Sequence, residues 1–204
     1  MIAIIDYGVG NIRAFTNIYR QLDIPIKIAR KVDDLTYVSK IILPGVGAFD
    51  HAMEQLEQSG IRQRLDELVI QNKVPVVGIC VGMQMLAHSS DEGKLPGLGW
   101  IDASVKKFDV SKINCSTHLP HMGWNDINPV KENGILKGLE KDAKFYFLHS
   151  YYFHCNDPLN TIATTDYGIE FSCAVNKNNI YGVQFHPEKS HEYGIQLLKN
   201  FAKL

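Results

Sequence analysis

The sequence predicts an α/β fold: a mostly parallel central sheet flanked by helices, with antiparallel strands added to it. Three observations carry that expectation. Short β-branched runs alternate with helical patterns through the first hundred residues, and such alternation belongs to parallel strands joined by crossover helices. After Leu95 the strands follow one another with few helices between them, as antiparallel additions do. The 204-residue chain is 45% apolar and 21% charged, which suits one substantial core. No repeat, linker or low-complexity stretch interrupts it, so residues 1–204 are expected to form a single domain.

The elements follow in order. Ile2 to Ile5 reads as a buried strand, and a Gly-rich turn, Tyr7 to Gly10, leads to Asn11, a candidate helix cap. In the next helix Ile12, Phe15, Ile18, Tyr19 and Leu22 fall on one face. Ile24 to Ala29 alternates like a second strand, and Lys40 to Leu43 forms a third, ended by Pro44-Gly45-Val46-Gly47. Helices over Ala48 to Gln58 and Ile61 to Asn72 precede a strand at Val74 to Ile79. Later strands are expected at Gly97 to Phe108, Phe145 to Leu148, Thr161 to Thr164, Phe171 to Val175 and Ile180 to Gln184, all joining the same sheet or its rim. A last helix, His191 to Phe201, places Ile195, Leu198 and Phe201 on one side.

The sharpest chemical signal is Gly78-Ile79-Cys80-Val81-Gly82, set between an apolar strand and the helical run Met83 to Leu86. This is the pattern of a nucleophile elbow, in which flanking glycines allow a sharp turn that exposes the middle residue. A thiol at a helix N-terminus is drawn towards the reactive thiolate. The Val81 N–H is placed to meet an oxyanion formed when Cys80 attacks a carbonyl. A base and a group to orient it are supplied by His186-Pro187-Glu188. In an extended segment, side chains two apart share a face with bases about 6.5–7 Å apart, within reach of a hydrogen bond. Pro187 disfavours helix at His186.

With these residues in place the sequence resembles the class I glutamine amidotransferases, which use a Cys-His-Glu triad. The likeness extends to Asp6-Tyr7-Gly8-Val9-Gly10-Asn11, Leu43 to Phe49, Gly78 to Leu86, Pro120 to Asn125, His149-Ser150-Tyr151 and His186 to Ser190. Within the family it is most similar to glutaminase subunits of histidine biosynthesis. The resemblance implies a flavodoxin-like arrangement and hydrolysis of glutamine to glutamate and ammonia by Cys80, His186 and Glu188. It implies an oxyanion strand at Gly45, Val46 and Gly47 beside Val81, with Gln84, Ser150 and Tyr151 holding the glutamine backbone. It also implies a (β/α)8-barrel synthase partner, in a heterodimer, that takes up the ammonia to make imidazole glycerol phosphate and AICAR. Asn11, Trp124, Tyr146 and Lys189 would lie at that interface. The chain departs from the family at His88, where relatives usually carry a glutamate, leaving open which group neutralises the glutamine ammonium.

Other readings carry less. Cys115, His118 and His121 have a spacing suggestive of zinc but lack a paired fourth ligand, so no metal is expected. Gly8-Val9-Gly10-Asn11-Ile12-Arg13 has Arg13 where a dinucleotide loop needs its third glycine. No Walker loop appears, and no cofactor is expected. The formal charge of −1 offers no field for nucleic acid or membrane. Four scattered cysteines and the absence of a signal-peptide core fit a reduced, cytoplasmic protein. Three alternatives stand beside the leading one: a paralogue serving surface-sugar amidination, a stand-alone γ-glutamyl hydrolase, and a non-catalytic binding subunit.

Overall fold

A computed structural model describes residues 1–109, 111 and 119–204 of the chain. Cys115 and His118 of the discounted zinc spacing lie outside the described residues.

The first half follows the expected alternation. Strand β1 (Ile2–Ile5) is buried throughout, and helix α1 (Ile12–Gln21) turns Phe15 and Tyr19 into the core. Asn11 stands at the cap position of α1 but its side chain makes no capping bond; its ψ of 63° lies outside the extended region from which such a bond is made. Strand β2 (Ile26–Ala29) starts after Pro25, which has no N–H for a ladder. Strand β3 (Lys40–Gly45) runs two residues past the expected end, through Pro44. That is tolerated because β1 pairs with β3 only from Lys40 to Ile42, so no β1 carbonyl needs the missing N–H. Helix α2 (Phe49–Gln58) and helix α3 (Arg62–Asp66) follow. The expected single helix over 61–72 instead passes into a π-helical turn, Glu67–Gln71, where Asn72 N–H reaches back five residues to the Glu67 carbonyl. Strand β4 (Val76–Cys80) then feeds a helix α4 (Val81–Gln84) of a single turn.

The second half departs further. Of the expected strand over 97–108, only β6 (Ala103–Lys107) forms, next to the short β5 (Ser89–Ser90). The N–H groups of Gly97, Leu98, Gly99 and Ile101 go instead to the carbonyls of His88, Met85, Ala87 and Leu86. These carbonyls would otherwise be left unpaired where α4 stops. Strands β7 (His121–Asp126), β8 (Asn128–Pro129) and β9 (Lys144–His149) come next, then β10 (Tyr151–Cys155), β11 (Thr161–Asp166), β12 (Glu170–Lys177), β13 (Ile180–Val183) and helix α5 (His191–Lys203).

Among the described residues the main sheet runs β2-β1-β3-β4-β13-β12-β10-β6-β5, with β11 and β8 on a branch from β12. From β2 to β13 the strands are parallel, and from β13 to β6 they are antiparallel. One expectation is corrected: the strand at Phe145–Leu148 does not join this sheet. As β9 it pairs with β7 in a separate two-stranded antiparallel sheet, Trp124 opposite Tyr146. The reason is burial. Phe145 and Phe147 point inward, Phe145 stacking on Phe185, while the opposite side of the ribbon faces solvent. Tyr19 Oη donates to the Leu198 carbonyl at 3.1 Å and ties α1 to α5. No described helix is long and apolar enough to cross a membrane.

Candidate active site

β3, β4 and β13 end side by side, and each delivers a loop to one cavity. At the end of β4, Cys80 has φ +55° and ψ −113°, a conformation that costs a non-glycine residue roughly 1–3 kcal/mol. The glycines two residues away explain how it is held. A Cβ on Gly78 would lie 2.4 Å from the Gly82 carbonyl oxygen, and one on Gly82 would lie 2.0 Å from that of Leu43. The G-x-C-x-G spacing is therefore a packing requirement between strand, elbow and neighbouring strand. The expected helix behind Cys80 is only the one-turn α4, which sums few peptide dipoles. Charge at the sulfur falls mainly to side chains.

His186 and Glu188 follow β13. His186 Nδ1 lies 2.9 Å from Glu188 Oε1, with the two side chains 3% and 2% exposed. The segment is not extended as expected: Pro187–Lys189 forms a 3₁₀ turn, closed by Lys189 N–H on the His186 carbonyl. Proline's fixed φ starts that turn, which brings Glu188 back to the ring. His186 N–H donates to the Tyr146 carbonyl, and Ser190 Oγ, which accepts from Tyr146 N–H, donates to the His186 carbonyl. Burial disfavours the charged imidazole, but hydrogen bonds and charge from Cys80 and Glu188 outweigh it and raise its pKa to about 10. Cys80 and Glu188 thus both favour the protonated imidazole at His186.

The cavity, about 450 Å³, is lined by Cys80, Val81, Gln84, Ser150, Tyr151 and His186, together with Val46, Gly47, Glu92, His149 and Lys189. A volume of that order suits a small molecule. Gln84 uses both amide hydrogens on the protein, donating to the Tyr151 carbonyl at 3.1 Å and to Gln184 Oε1 at 3.0 Å. His88 and Glu92 take different positions relative to the cavity. His88 is exposed, pairs with Asp102 at 3.4 Å and does not line the cavity. Glu92 does line it, its Oε2 accepting the Phe49 N–H at 2.9 Å. Glu92 carries no local sequence signal for this place, because only the turn at 89–95 brings it to the cavity wall.

His149 on that wall belongs to a buried chain that sequence reading missed. Its Nδ1 lies 2.8 Å from the Tyr151 carbonyl, so that nitrogen carries the proton. Nε2 must then accept from His121 Nδ1 at 3.0 Å, and His121 Nε2 from Asn125 Nδ2 at 3.3 Å. Burial lowers the pKa of His121 to about 4; burial and then the neighbouring His121 lower that of His149 to about 3. His121 stacks between Phe147 and Tyr167.

The segment Gly45–Val46–Gly47, where β3 ends, borders Cys80. A Cβ on Gly45 would lie 2.3 Å from Gly82 N, whereas one on Gly47, at φ +84°, would meet nothing. Tyr7 Oη donates to the Pro44 carbonyl at 2.7 Å, and Gly10 packs against the Pro44 ring. The Gly8–Gly10 turn thus anchors Pro44, while Val46 is 39% exposed. Of the residues expected at an interface, Trp124 stacks on His191, Lys189 Nζ lies 5.6 Å from the Tyr146 ring centre, and Asn11 is exposed.

Comparison with known proteins points the same way. The family model "Glutamine amidotransferase class-I" matches residues 3–204. A protein of Bdellovibrio bacteriovorus named "Imidazole glycerol phosphate synthase subunit HisH" is 59% identical over 204 residues, covering all of both chains. One of Leptospira borgpetersenii with the same name is 52% identical over the same span. A solved structure described as a glutamine amidotransferase superposes with a TM-score of 0.76 at 18% identity, covering 100% of this chain and 99% of that one. The likeness spans the sequence from end to end, and the chain belongs to the class I glutamine amidotransferase family.

Proposed function

We propose that this glutamine amidotransferase is the glutaminase subunit of an imidazole glycerol phosphate synthase, working with a (β/α)8-barrel synthase in a heterodimer. The observation that supports it best is the strained Cys80 facing a buried His186–Glu188 pair across a small cavity, in a chain 59% identical to a protein bearing that name. The Cys80 thiolate adds to the side-chain amide carbon of glutamine. The oxyanion is met by Val81 N–H, and by an N–H at Val46 in the segment that Gly47 leaves room to turn. His186 gives its proton to the departing nitrogen, ammonia leaves, and a γ-glutamyl thioester remains. Water, deprotonated by His186, cleaves the thioester, releasing glutamate and restoring the thiolate. Glu188 keeps the imidazole oriented and stabilises its charged form. Gln84, Ser150 and Tyr151 hold the backbone end of glutamine, and Glu92 takes the place left open at His88 as counter-charge to its ammonium.

The partner is supported by the outer side of the β7–β9 ribbon. Met122, Trp124 and Leu148 are 64%, 47% and 36% exposed, and with Tyr146 and Lys189 they form an apolar face with a cation beside the cavity. Such a face suits a protein surface bearing a carboxylate. The test is synthesis by the chain together with its barrel synthase. Cys80→Ala should abolish glutamine-dependent product while synthesis from added ammonium salt survives; loss of both would remove Cys80 from the chemistry. Strong glutaminase activity without any synthase would favour the stand-alone hydrolase.

A further inference from the structure

Gln184 directly follows β13 and is completely buried, but it has no part in the triad chemistry. Its Oε1 accepts from Gln84 Nε2 at 3.0 Å, and its Nε2 donates to Cys80 Sγ at 3.9 Å. The orientation of this amide is determined by its surroundings. Gln84 presents Nε2 to both the Tyr151 carbonyl and Gln184. A donor there requires the carbonyl end of Gln184, which turns its NH2 towards the sulfur. The Tyr151 carbonyl is in turn held by His149 Nδ1, and His149 by His121. Hydrogen bonds therefore connect the β7–β9 ribbon to Cys80, with His149 and Gln84 both donating to the Tyr151 carbonyl and Gln184 donating to the sulfur.

The sulfur also contacts the Leu148 carbonyl at 3.9 Å. That oxygen accepts from a thiol S–H but repels a thiolate. Cys80 interacts electrostatically with His186, which also pairs with Glu188, and with Tyr7. His186 gives up and regains its proton during each turnover, whereas the Gln184 amide is a donor that exchanges no proton. We propose that Gln184 is a positioning residue for the nucleophile: its amide, oriented by Gln84, donates to Cys80 and favours the thiolate over the thiol. The proposal rests on Cys80 being the nucleophile.

Two variants separate the donor from the packing. Gln184→Glu keeps an acceptor for Gln84 but, when ionised, faces the sulfur with a like charge in place of a donor; Gln184→Met loses donor and acceptor without adding charge. The rate of iodoacetamide alkylation at Cys80, followed by mass spectrometry of its peptide across pH, reads thiolate without requiring turnover. In Gln184→Glu that rate should fall about tenfold at neutral pH, the scale of a hydrogen bond to a charged group, and regain the wild-type plateau at high pH. With the synthase present, its kcat should fall while KM for glutamine stays near wild type; Gln184→Met should lose kcat and raise KM. Wild-type alkylation at every pH in Gln184→Glu would overturn the proposal. A wild-type Cys80 no more reactive than buried Cys155 and Cys173 would instead overturn the nucleophile assignment on which it rests.

Discussion

Glu188 Oε1 lies 2.9 Å from His186 Nδ1, and the other carboxylate oxygen, Oε2, is buried with no hydrogen-bond partner among the described residues. The carboxylate is thus committed to the imidazole and is kept, at a cost in desolvation, for what it does to that ring. Glu188→Gln removes the charge but nearly preserves shape. It should lower glutaminase kcat by roughly 10²–10⁴ with the fold intact, by analogy with loss of the carboxylate in other triads. Steady-state kinetics beside a circular dichroism spectrum would check this; a loss below tenfold would leave Glu188 a structural role only.

Glu92→Gln retains an acceptor for Phe49 N–H and removes only the negative charge from the cavity wall. If Glu92 faces the glutamine ammonium, KM for glutamine should rise roughly tenfold to a hundredfold, with kcat much less affected. His88→Ala, altering an exposed residue, should leave both constants unchanged.

Gly82→Ala places a methyl group where the Leu43 carbonyl stands, at 2.0 Å. Backbone on both sides has nowhere to yield, so destabilisation of about 3 kcal/mol or more is expected, together with loss of the elbow geometry. Thermal unfolding measures it, and an unchanged Tm would contradict the close approach.

The His121–His149 pair makes a prediction about acid. In the fold burial keeps His121 neutral down to about pH 4 and His149 down to about pH 3, whereas in the unfolded chain both take up protons near pH 6.5. Between those limits the unfolded state binds more protons, so stability falls as pH falls, on the order of 1 kcal/mol per pH unit for each histidine. In His121→Phe, urea midpoints between pH 4 and 6.5 should vary less steeply than in wild type. An equal slope would show that His121 titrates normally.

Trp124→Ala should weaken synthase binding roughly tenfold to a hundredfold, as loss of an exposed aromatic anchor does. Lys189→Ala should lower the ratio of product formed to ammonia released more than it lowers thermal stability. Titration calorimetry and paired ammonia and product assays report the two effects. Unaltered affinity and coupling would move the interface away from the β7–β9 ribbon.

Local pattern made much of this legible. The βα alternation, the G-x-C-x-G elbow and His-x-Glu are written within a few residues, and backbone geometry turns such spacings into positions. Where local propensity competed with chain-wide hydrogen-bond demand, the reading slipped. Gly97 to Ile101 satisfy the end of the short α4 rather than forming a strand, and Pro187 opens a turn rather than an extended step.

By itself, then, the sequence determined the α/β class and singled out Cys80, His186 and Glu188 as the candidate triad, because each follows from short-range spacing and steric limits. Only the tertiary structure decided that β9 leaves the main sheet to pair with β7, that Glu92 rather than His88 meets the cavity, and that Tyr7 grips Pro44. It also decided that Gln84 turns the Gln184 amide towards Cys80, a contact between residues 100 positions apart. Such pairings depend on how separate loops are brought together by burial of the core, and no local pattern of residue types encodes that arrangement.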